Sequence, residues 1–465
     1  MSSELRKLWE HAGGQLPDDW AMVSLESLLR DSKSIAVGVM YPGPDTPGGV
    51  PLLKVGDVKD GSVPIKPSYR ISAETDEEHK RTKLVGDELL ITLVGNPGEC
   101  IVVTQEMAGW NPARAIAVVR LHDTSLRTYL KTVLESTAGR HLIDAVLNTT
   151  VQKTLNLKDI RRLPIPLPSS ATIKSISSFS EALTMRITLL REANTTLEAM
   201  AQALFKSWFV DFDPVRAKAQ GLEPEGMDTA TAALFPDSFE ESELGLVPSG
   251  WLVDRASSWL SVLETGRRPK GGVAGIMDGV PSIGAESIVR IGEFDYSKTK
   301  YVSSEFFEKM KSGELQSHDV LLYKDGGKPG VFLPRVSMFG NGFPFKKCGI
   351  NEHVFRIRLK EPFSQAFLYY WLWSDAVMHE LKHRGGKAAI PGINQSDVKE
   401  LKLLVPNEQI LISFDELCSP LIDKIFSNSK QARTLTQLRD TLLPRLISGQ
   451  LRLPEAEVMV EEVCA

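Results

Sequence analysis

Three short stretches come close to catalytic motifs, and each lacks a part that its chemistry requires. The run HRGGKAA at 383–389 has the glycines and lysine of a phosphate-binding loop, but neither its spacing nor its hydroxyl residue. The tetrapeptide at 213–216, Asp-Pro-Val-Arg, departs from the Asn-Pro-Pro-aromatic sequence with which amino-methyltransferases hold a flipped base. Glu78-His79-Lys80 has the spacing of one nuclease fragment but no upstream Pro-Asp partner. The sequence therefore favours a non-catalytic role, and residues 76–83 are predicted to form a solvated charged loop.

The cysteines and the N-terminus predict a reduced, soluble protein. Cys100, Cys348, Cys418 and Cys464 form no CxxC pair, so neither a zinc finger nor thioredoxin chemistry is indicated. Reduced thiols are typical of cytosolic proteins. The opening MSSELRKLWE lacks the apolar core of a signal peptide, and no run approaches the roughly 18 apolar residues of a membrane span. We expect a cytoplasmic chain that binds no metal or cofactor itself.

The charge of the chain is unevenly distributed. Its 465 residues, 42% hydrophobic and 24% charged, are typical of a globular protein of about three units. A net charge of −5 would argue against nucleic-acid binding, which usually leaves a basic footprint. However, residues 221–250 carry −7 and residues 451–465 carry −3, so the rest of the chain carries +5. The total charge therefore does not argue against a nucleic-acid partner.

The sequence repeats itself once, with a long period. LPDDWAMVSLESLL, which begins at Leu16, matches VPSGWLVDRASSWL, which begins at Val247. Further on, GDELLITLVGNPG matches SHDVLLYKDGGKPG, which aligns Asp87 with Asp319, and LNLKDIRRLPIPLP matches INQSDVKELKLLVP. These matches follow one another in the same order, with shifts that grow from 230 to 238 residues. A period of this length predicts two copies of one domain rather than a solenoid.

A long heptad seam follows each copy. Apolar positions step by three and four from Ile173 to Trp208, and adding 238 to each gives a second seam from Leu411 to Leu446. Pro420 lies in the second seam and predicts a late start or a kink there. Either the two seams bury each other or each helix packs on its own domain. Within the copies, short β-type runs alternate with helical stretches, and the acidic segment 221–250 is predicted to be an exposed, solvated connection.

This chain resembles the specificity subunit of type I restriction-modification systems in its order of elements, which is a domain, a helix, a second copy of the domain and a second helix. The resemblance is carried by the two openings LPDDW and VPSGW, by DVLLYKDGGKPG, by LEAMAQALFKSWFVDFDPVRAK at 197–218 and by TLLPRLISGQLRLP at 441–454, and it covers almost the whole chain. The first copy departs from it at 94–96, where Val-Gly-Asn stands in place of Asp-Gly-Gly.

The resemblance implies an α+β fold and a division of the chain. Two duplicated mixed α/β target recognition domains would be joined by two long antiparallel coiled-coil helices with pseudo-two-fold symmetry. The boundaries we expect are 1–168 for the first recognition domain, 169–213 for a central spacer helix, 214–246 for an acidic linker, 247–407 for the second recognition domain, 408–450 for a C-terminal spacer helix and 451–465 for an acidic tail.

The resemblance also implies a function. Each recognition domain would read one half of a split, asymmetric sequence in double-stranded DNA. The seam from 173 to 208 would be about 52 Å long at ~1.5 Å per residue, longer than one turn of DNA. Two methyltransferase subunits would dock near the helix ends, and restriction subunits, the motor-nucleases, would join them. S-adenosylmethionine, ATP and magnesium would be bound by those partners.

Side chains that could contact DNA or a partner follow from the same resemblance. Bases and phosphates are read by hydrogen-bond donors on loops, chiefly Arg, Lys and Asn. The DNA-contact candidates are Arg267, Arg268, Lys270, Lys324, Lys328, Lys346, Lys347, Arg384 and Lys387 in the second copy, and Lys66, Tyr69, Arg70, Arg81, Lys83, Asn96, Arg114 and Arg140 in the first. For the methyltransferase contact the candidates are Phe205, Trp208, Phe209 and Phe212, of which Phe209 and Phe212 would form an exposed anchor.

Two other functions fit the same sequence. The chain could be a two-domain coiled-coil scaffold whose globular ends bind proteins, or a component of a fused restriction-methylation enzyme. The scaffold predicts no salt-dependent binding to duplex DNA, and the enzyme predicts S-adenosylmethionine binding by the isolated chain.

Overall fold

The computed structural model describes residues 2–58, 61–63, 66–147, 153–328, 330–341, 343–386 and 391–464. The chain forms two compact units. Unit 1 comprises Met1–Ile187 and Thr434–Ala465, and unit 2 comprises Thr188–Arg433. Two long helices each begin in one unit and end in the other, because the boundaries between the units fall within them.

The described helices are α1 (Ser2–His11), α2 (Ala73–Glu78), α3 (Arg127–Glu135), α4 (Thr137–Val146), α5 (Leu157–Arg162), α6 (Ser170–Phe209), α7 (Asp213–Ala219), α8 (Thr229–Leu234), α9 (Ala256–Trp259), α10 (Ser304–Glu308), α11 (Gln365–Trp373), α12 (Asp375–Gly385), α13 (Gln395–Lys399), α14 (Glu408–Ile447) and α15 (Leu453–Cys464). None of the helices in this part of the chain is both long and apolar enough to cross a membrane.

The strands of the first copy are β1 (Ala21–Ser24), β2 (Ile35–Val37), β3 (Val50–Leu53), β4 (Arg70–Ile71), β5 (Leu89–Thr92), β6 (Cys100–Val102), β7 (Asn111–Pro112), β8 (Ile116–Val119) and β9 (Pro164–Leu167). Those that follow are β10 (Phe239–Ser242), β11 (Gly245–Pro248), β12 (Leu252–Arg255), β13 (Leu260–Thr265), β14 (Val280–Ile283), β15 (Ile288–Arg290), β16 (Glu293–Phe294), β17 (Lys300–Val302), β18 (Val320–Tyr323), β19 (Gly327–Lys328), β20 (Val331–Phe332), β21 (Val336–Met338), β22 (Gly349–Ile350), β23 (Val354–Leu359) and β24 (Lys402–Val405).

The sheets of the two units have the same topology. Unit 1 has a four-stranded antiparallel sheet in the order β2-β8-β5-β6, a three-stranded sheet β4-β3-β7 and the pair β1-β9. Unit 2 repeats these as β13-β23-β18-β21, β17-β14-β22 and β12-β24. In each three-stranded sheet, one neighbour of the central strand is antiparallel and the other parallel. The predicted duplication is therefore confirmed for these three sheets.

The strand register corrects one pair in the sequence alignment of the copies. Leu89 pairs with Val119, and Val320 pairs with Ile357 in the same way. The counterpart of Asp319 is therefore Glu88 and not Asp87. Glu88 and Asp319 are both fully buried, and each forms an ion pair with an arginine at the end of the neighbouring strand, Arg120 just after β8 or Arg358 near the end of β23. Two acidic residues in a row hid this one-residue offset from the alignment.

The two predicted seams lie on helices that pack on each other. In unit 1, Ile173 and Ile176 of α6 share a buried cluster with Leu442 and Leu446 of α14. In unit 2, the last turns of α6 share another buried cluster with the first turns of α14. The helices are therefore antiparallel, and in both units the same clusters include residues of the globular domain.

The predicted late start of the second helix is wrong. The helix α14 is continuous over 40 residues from Glu408 and runs through Pro420. Pro420 is exposed, so water can satisfy the carbonyl group that loses its partner at this position.

The acidic segments are folded rather than free. The predicted linker contains α8 and the β10–β11 hairpin, and Phe235 is 2% exposed against Trp208, with ring centroids 5.1 Å apart. Its acidic side chains are exposed, as expected. The predicted tail forms α15, whose Ala456 is fully buried in unit 1. Charge alone did not reveal the few apolar residues that anchor each segment.

Candidate nucleic-acid interface

In unit 1, four loops meet at one end of the sheets. The backbone amide of Gly38 donates to Ile116 O (3.1 Å), that of Ala113 to Leu53 O (2.8 Å), and that of Leu93 to Ala115 O (2.8 Å). These bonds tie together the loops after β2, β3 and β5 and the segment before β8. We call residues 38–44, 54–55, 93–98 and 113–115 the first loop edge. It encloses an open groove of about 620 Å³.

The first loop edge combines exposed apolar and basic side chains. Tyr41 is 80% and Met40 is 40% exposed. Lys54 Nζ lies 3.2 Å from the ring centroid of Tyr69. The Tyr69 hydroxyl donates to the carbonyl of Gly43, in the loop after β2. Arg114 is exposed, and its Nη1 lies 3.9 Å from Met40 Sδ. No carboxylate of the described residues lies within ion-pair distance of the Arg114 guanidinium. Such uncommitted donors suit an anionic or acceptor-rich ligand.

Some of the first-copy candidates lie at this edge and others do not. Asn96 is exposed in the β5–β6 hairpin, and Arg140 donates to the carbonyl of Pro97 in the same hairpin (3.3 Å). Tyr69 and Arg70 bond to the loop after β2, and Lys66 is exposed in the segment before them. The sequence did not single out Tyr41 or Lys54, because each stands alone between apolar neighbours.

Arg81 and Lys83 lie at the opposite end of the four-stranded sheet. Arg81 donates to the carbonyl of Lys33, just before β2, and Arg120 donates to the Lys83 carbonyl (2.9 Å) just after β8. Lys83 also forms an ion pair with the buried Asp76 (2.5 Å), which accepts a hydrogen bond from Asn111 as well. The prediction of a solvated loop over 76–83 is therefore wrong at Asp76, which α2 buries, whereas Glu77, Glu78, Lys80 and Arg81 are exposed as expected.

Unit 2 builds the equivalent edge from the equivalent loops. Gly266 N donates to Asn351 O (3.2 Å), Asn351 N to Ile283 O (3.0 Å) and Lys324 N to His353 O (3.1 Å). We call residues 266–272, 284–285, 324–326 and 351–353 the second loop edge. Its candidates Arg267, Arg268 and Lys270 are exposed, and Lys324 is half-buried.

Ion pairs cross the second loop edge. Asp325 lies 2.7 Å from Lys324 Nζ and 2.5 Å from His353 Nδ1. Glu352 Oε1 lies 3.4 Å from His353 Nε2 and 3.8 Å from Arg268 Nη1. Glu352 Oε2 is buried and has no hydrogen-bond partner among the described residues. This edge therefore offers carboxylate acceptors as well as donors.

Three second-copy candidates, Arg384, Lys346 and Lys347, stand apart from this edge. Arg384 is engaged by Glu380, an i,i+4 neighbour on α12, and by Glu400 at 3.1 Å, so its donors are already used. Lys346 and Lys347 lie before the start of β22, whereas residues 351–353 of the second loop edge lie after the end of this strand. Lys347 Nζ lies 5.0 Å from the ring centroid of Phe307. Lys387 and the side chain of Lys328 lie outside the described residues.

Comparison with known proteins gives these edges a context. No protein-family model matches the chain. The chain is 27% identical to the HindI specificity subunit of Haemophilus influenzae, a type I restriction enzyme component, over 70% of this chain and 74% of the relative. It is 25% identical to the MjaIX specificity subunit of Methanocaldococcus jannaschii over 64% of this chain, but spans less than two thirds (62%) of that relative.

The chain is homologous to type I restriction enzyme specificity subunits. Its fold agrees with that assignment. The crystal structure of a type I restriction-modification S subunit from M. genitalium superimposes with a TM-score of 0.52 at 14% identity, over 93% of this chain and 97% of that one. The expected α+β class, with two domains and a long pair of helices, is confirmed.

The aromatic group at the end of α6 is buried. Phe205 (4%), Trp208 (3%) and Phe209 (7% exposed) pack in unit 2 against Phe414 and its neighbours, with the Phe209 and Phe414 centroids 5.0 Å apart. Phe212 is partly buried against Trp251. The prediction that Phe209 is an exposed anchor is wrong, because Phe414 of α14 and Phe367 of α11 pack against its ring.

No cluster in the described part of the chain has three or more His, Cys, Asp or Glu side chains placed to hold a metal ion. The buried Cys100 and Cys348 lie in apolar surroundings, and burial raises the pKa of Cys348 to about 12. These thiols are therefore protonated at neutral pH and unsuited to nucleophilic chemistry.

Proposed function

We propose that this chain is the DNA-specificity subunit of a type I restriction-modification complex. Each loop edge reads one half of a split, asymmetric target in double-stranded DNA. The observation that carries the proposal is the repetition of one topology with different side chains at the equivalent edges, in a chain homologous to specificity subunits. Two copies of one reader with different contacts are what a bipartite, asymmetric target requires.

The chemistry of the edges supports DNA as the ligand. Arg114 at one edge, and Arg267, Arg268 and Lys270 at the other, are exposed on loops that two sheets hold in place. Arg and Lys donors of this kind bind phosphates and the major-groove edge of guanine. The apolar groove beside Tyr41 adds a surface that could pack on a thymine methyl group or a sugar.

The proposal leaves the chemistry to partner subunits. Two methyltransferase subunits would dock on the chain and carry S-adenosylmethionine, and restriction subunits would bring ATP and magnesium. The chain would position them on DNA without reacting itself. Because Phe205, Trp208 and Phe209 are buried, we expect the methyltransferase contact to use the exposed faces of α6 and α14 around this cluster.

Methylation mapping with the purified chain tests this function. The chain alone, the methyltransferase subunit alone and their mixture are each incubated with genomic DNA and S-adenosylmethionine, and modified adenines are located by sequencing. We expect modification by the mixture only, at a single bipartite sequence. Modification without regard to sequence would contradict the proposal. Methylation by the chain alone would favour the fused-enzyme alternative, and absence of salt-dependent DNA binding by the mixture would favour the scaffold.

A further inference from the structure

We propose that residues 114 and 352 occupy the same specificity-determining position in the two copies, where Arg114 reads a guanine and Glu352 reads a cytosine. The inference rests on the proposed function and deepens it. Each domain would then select a G·C pair at one equivalent step of its half-site, with the guanine facing the first domain and the cytosine facing the second.

The strand register makes the two positions equivalent. In unit 1, Leu53 of β3 pairs in parallel with Pro112 of β7, and in unit 2, Ile283 of β14 pairs in parallel with Ile350 of β22. Arg114 is two residues beyond Pro112, and Glu352 is two residues beyond Ile350. The strands that follow agree, since β8 and β23 pair with β5 and β18 in the same register.

A close backbone approach brings the same loop against both positions. A Cβ atom on Gly38 would clash with the backbone of Pro112, and one on Gly266 would clash with the backbone of Ile350. These glycines let the loop after β2 or β13 pass directly over the segment that carries position 114 or 352. Sequence matching alone did not align the two loops, because they share little beyond this glycine.

Two residues after each glycine, the loop contacts that position with different chemistry in each copy. Met40 Sδ lies 3.9 Å from Arg114 Nη1, and Arg268 Nη1 lies 3.8 Å from Glu352 Oε1. The contact is therefore kept while the residue types change from Met–Arg to Arg–Glu. A scaffold contact kept for stability would not need a guanidinium in one copy and a carboxylate in the other.

Arg114 has the donors that guanine requires. A guanidinium presents five N–H groups and no acceptor, and guanine presents the acceptors O6 and N7 in the major groove. A methionine sulfur is only a weak acceptor, so the contact with Met40 can orient the side chain without occupying its donors.

Glu352 has the acceptor that cytosine requires. Its buried Oε2 lacks a hydrogen-bond partner among the described residues, and an unsatisfied carboxylate oxygen is unfavourable unless a ligand supplies the donor. In the major groove cytosine offers its N4 amino group and no acceptor of its own, whereas adenine adds N7, which would repel a carboxylate. Because Oε2 is buried in the free chain, the Glu352 side chain must turn for this contact to form, and Arg268, whose side chain is 61% exposed, can then bind a phosphate.

Half-site libraries test the inference in the complete complex. The chain with its methyltransferase subunits modifies DNA in which every base of both half-sites is randomised, and the modified pool is sequenced. We expect Arg114→Gln to lower guanine preference at one position of one half-site, by about 5- to 150-fold. Glu352→Gln should change cytosine to adenine at one position of the other half-site, since an amide pairs with adenine N6 and N7. Lys360→Gln, which removes one positive charge as Arg114→Gln does but at the end of β23 away from the edge, should alter neither.

The outcomes separate this inference from the proposed function. If the unaltered complex has a bipartite preference that both variants retain at every position, positions 114 and 352 do not read bases and the inference is overturned. If the unaltered complex has no half-site preference, the proposed function itself fails. Arg114→Lys keeps the charge but not the planar pair of N–H donors, so it should retain a weaker guanine preference than the unaltered chain while a thermal melt matches that of the unaltered chain.

Discussion

Asn194 and Asn428 form an amide pair between the long helices in unit 2, in which Asn428 is buried and Asn194 is half-buried. Asn428 Nδ2 donates to Asn194 Oδ1 at 3.0 Å, and Asn194 Nδ2 donates to Ser429 Oγ (2.9 Å) and to the carbonyl of Ile425 (3.2 Å). Both asparagines occupy positions of the predicted heptad seams. A polar pair in an otherwise apolar seam satisfies its hydrogen bonds in one register only, and it can therefore fix how the helices align.

Replacing one member of this pair should destabilise unit 2. We expect Asn428→Leu to lower the free energy of unfolding by about 1–3 kcal/mol, because Asn194 loses a buried partner. The double variant Asn194→Leu/Asn428→Leu should recover that loss and tolerate other registers. Chemical denaturation followed by circular dichroism measures the free energy of unfolding of the single and the double variant. Met200→Leu, on an exposed face of α6, is the control. Equal losses in the single and double variants would contradict this role.

A second prediction concerns the buried carboxylate that joins two strands of unit 2. Asp319 is fully buried and accepts from Arg356 Nε at 2.5 Å and from Arg358 Nε. Removing its charge leaves Arg356 without its main partner, so Asp319→Asn should cost about 3–5 kcal/mol of stability. Asp423→Asn, which removes an exposed contact with His318, should cost less than about 1 kcal/mol. Equal melting temperatures for the two variants would refute the distinction.

The pH dependence of stability should report on Glu198 of α6. Burial raises the pKa of this carboxyl group above its usual value of 4.5, although Arg290 and the Tyr369 hydroxyl oppose the shift. A raised folded-state pKa favours the protonated form, so the contribution of Glu198 to stability is present below the unfolded pKa and is lost as the pH rises through the folded one.

Glu198→Gln removes that titration and keeps an acceptor for Tyr369, whose hydroxyl lies 3.1 Å away. We therefore expect the variant to gain stability relative to the unaltered chain as the pH is raised from 4 to 7, measured by thermal melts at each pH. If the variant instead loses stability relative to the unaltered chain as the pH rises, the contact of Glu198 with Arg290 outweighs the effect of burial.

The sequence predicted the features that depend on periodicity. The heptad seams placed α6 and α14 correctly, because burial of one helix face follows directly from residues spaced three and four apart. The sequence matches that occur in the same order in both copies predicted the repeated topology, because they surround strands whose buried residues must stay apolar.

The features that depend on three-dimensional proximity could not be predicted in the same way. Nothing in the chain near Arg114 indicates that it faces Met40, since the contact is made by a loop 74 residues away. The charge of Arg384 suggested a DNA contact, but its neighbours on the folded chain are carboxylates. The burial of Phe209 depends on Phe367 and Phe414, which lie on other helices.

The most direct test of the account is an exchange of one recognition domain. Residues 17–168 are replaced by the corresponding segment of a related specificity subunit of different target, which leaves α6 and α14 intact. The hybrid is combined with the methyltransferase subunits, and modified adenines are mapped. We predict that one half-site changes to that of the donor, while the other half-site and the spacing stay the same. A change in both half-sites, or in neither, would contradict the claim that each unit reads one half of the target.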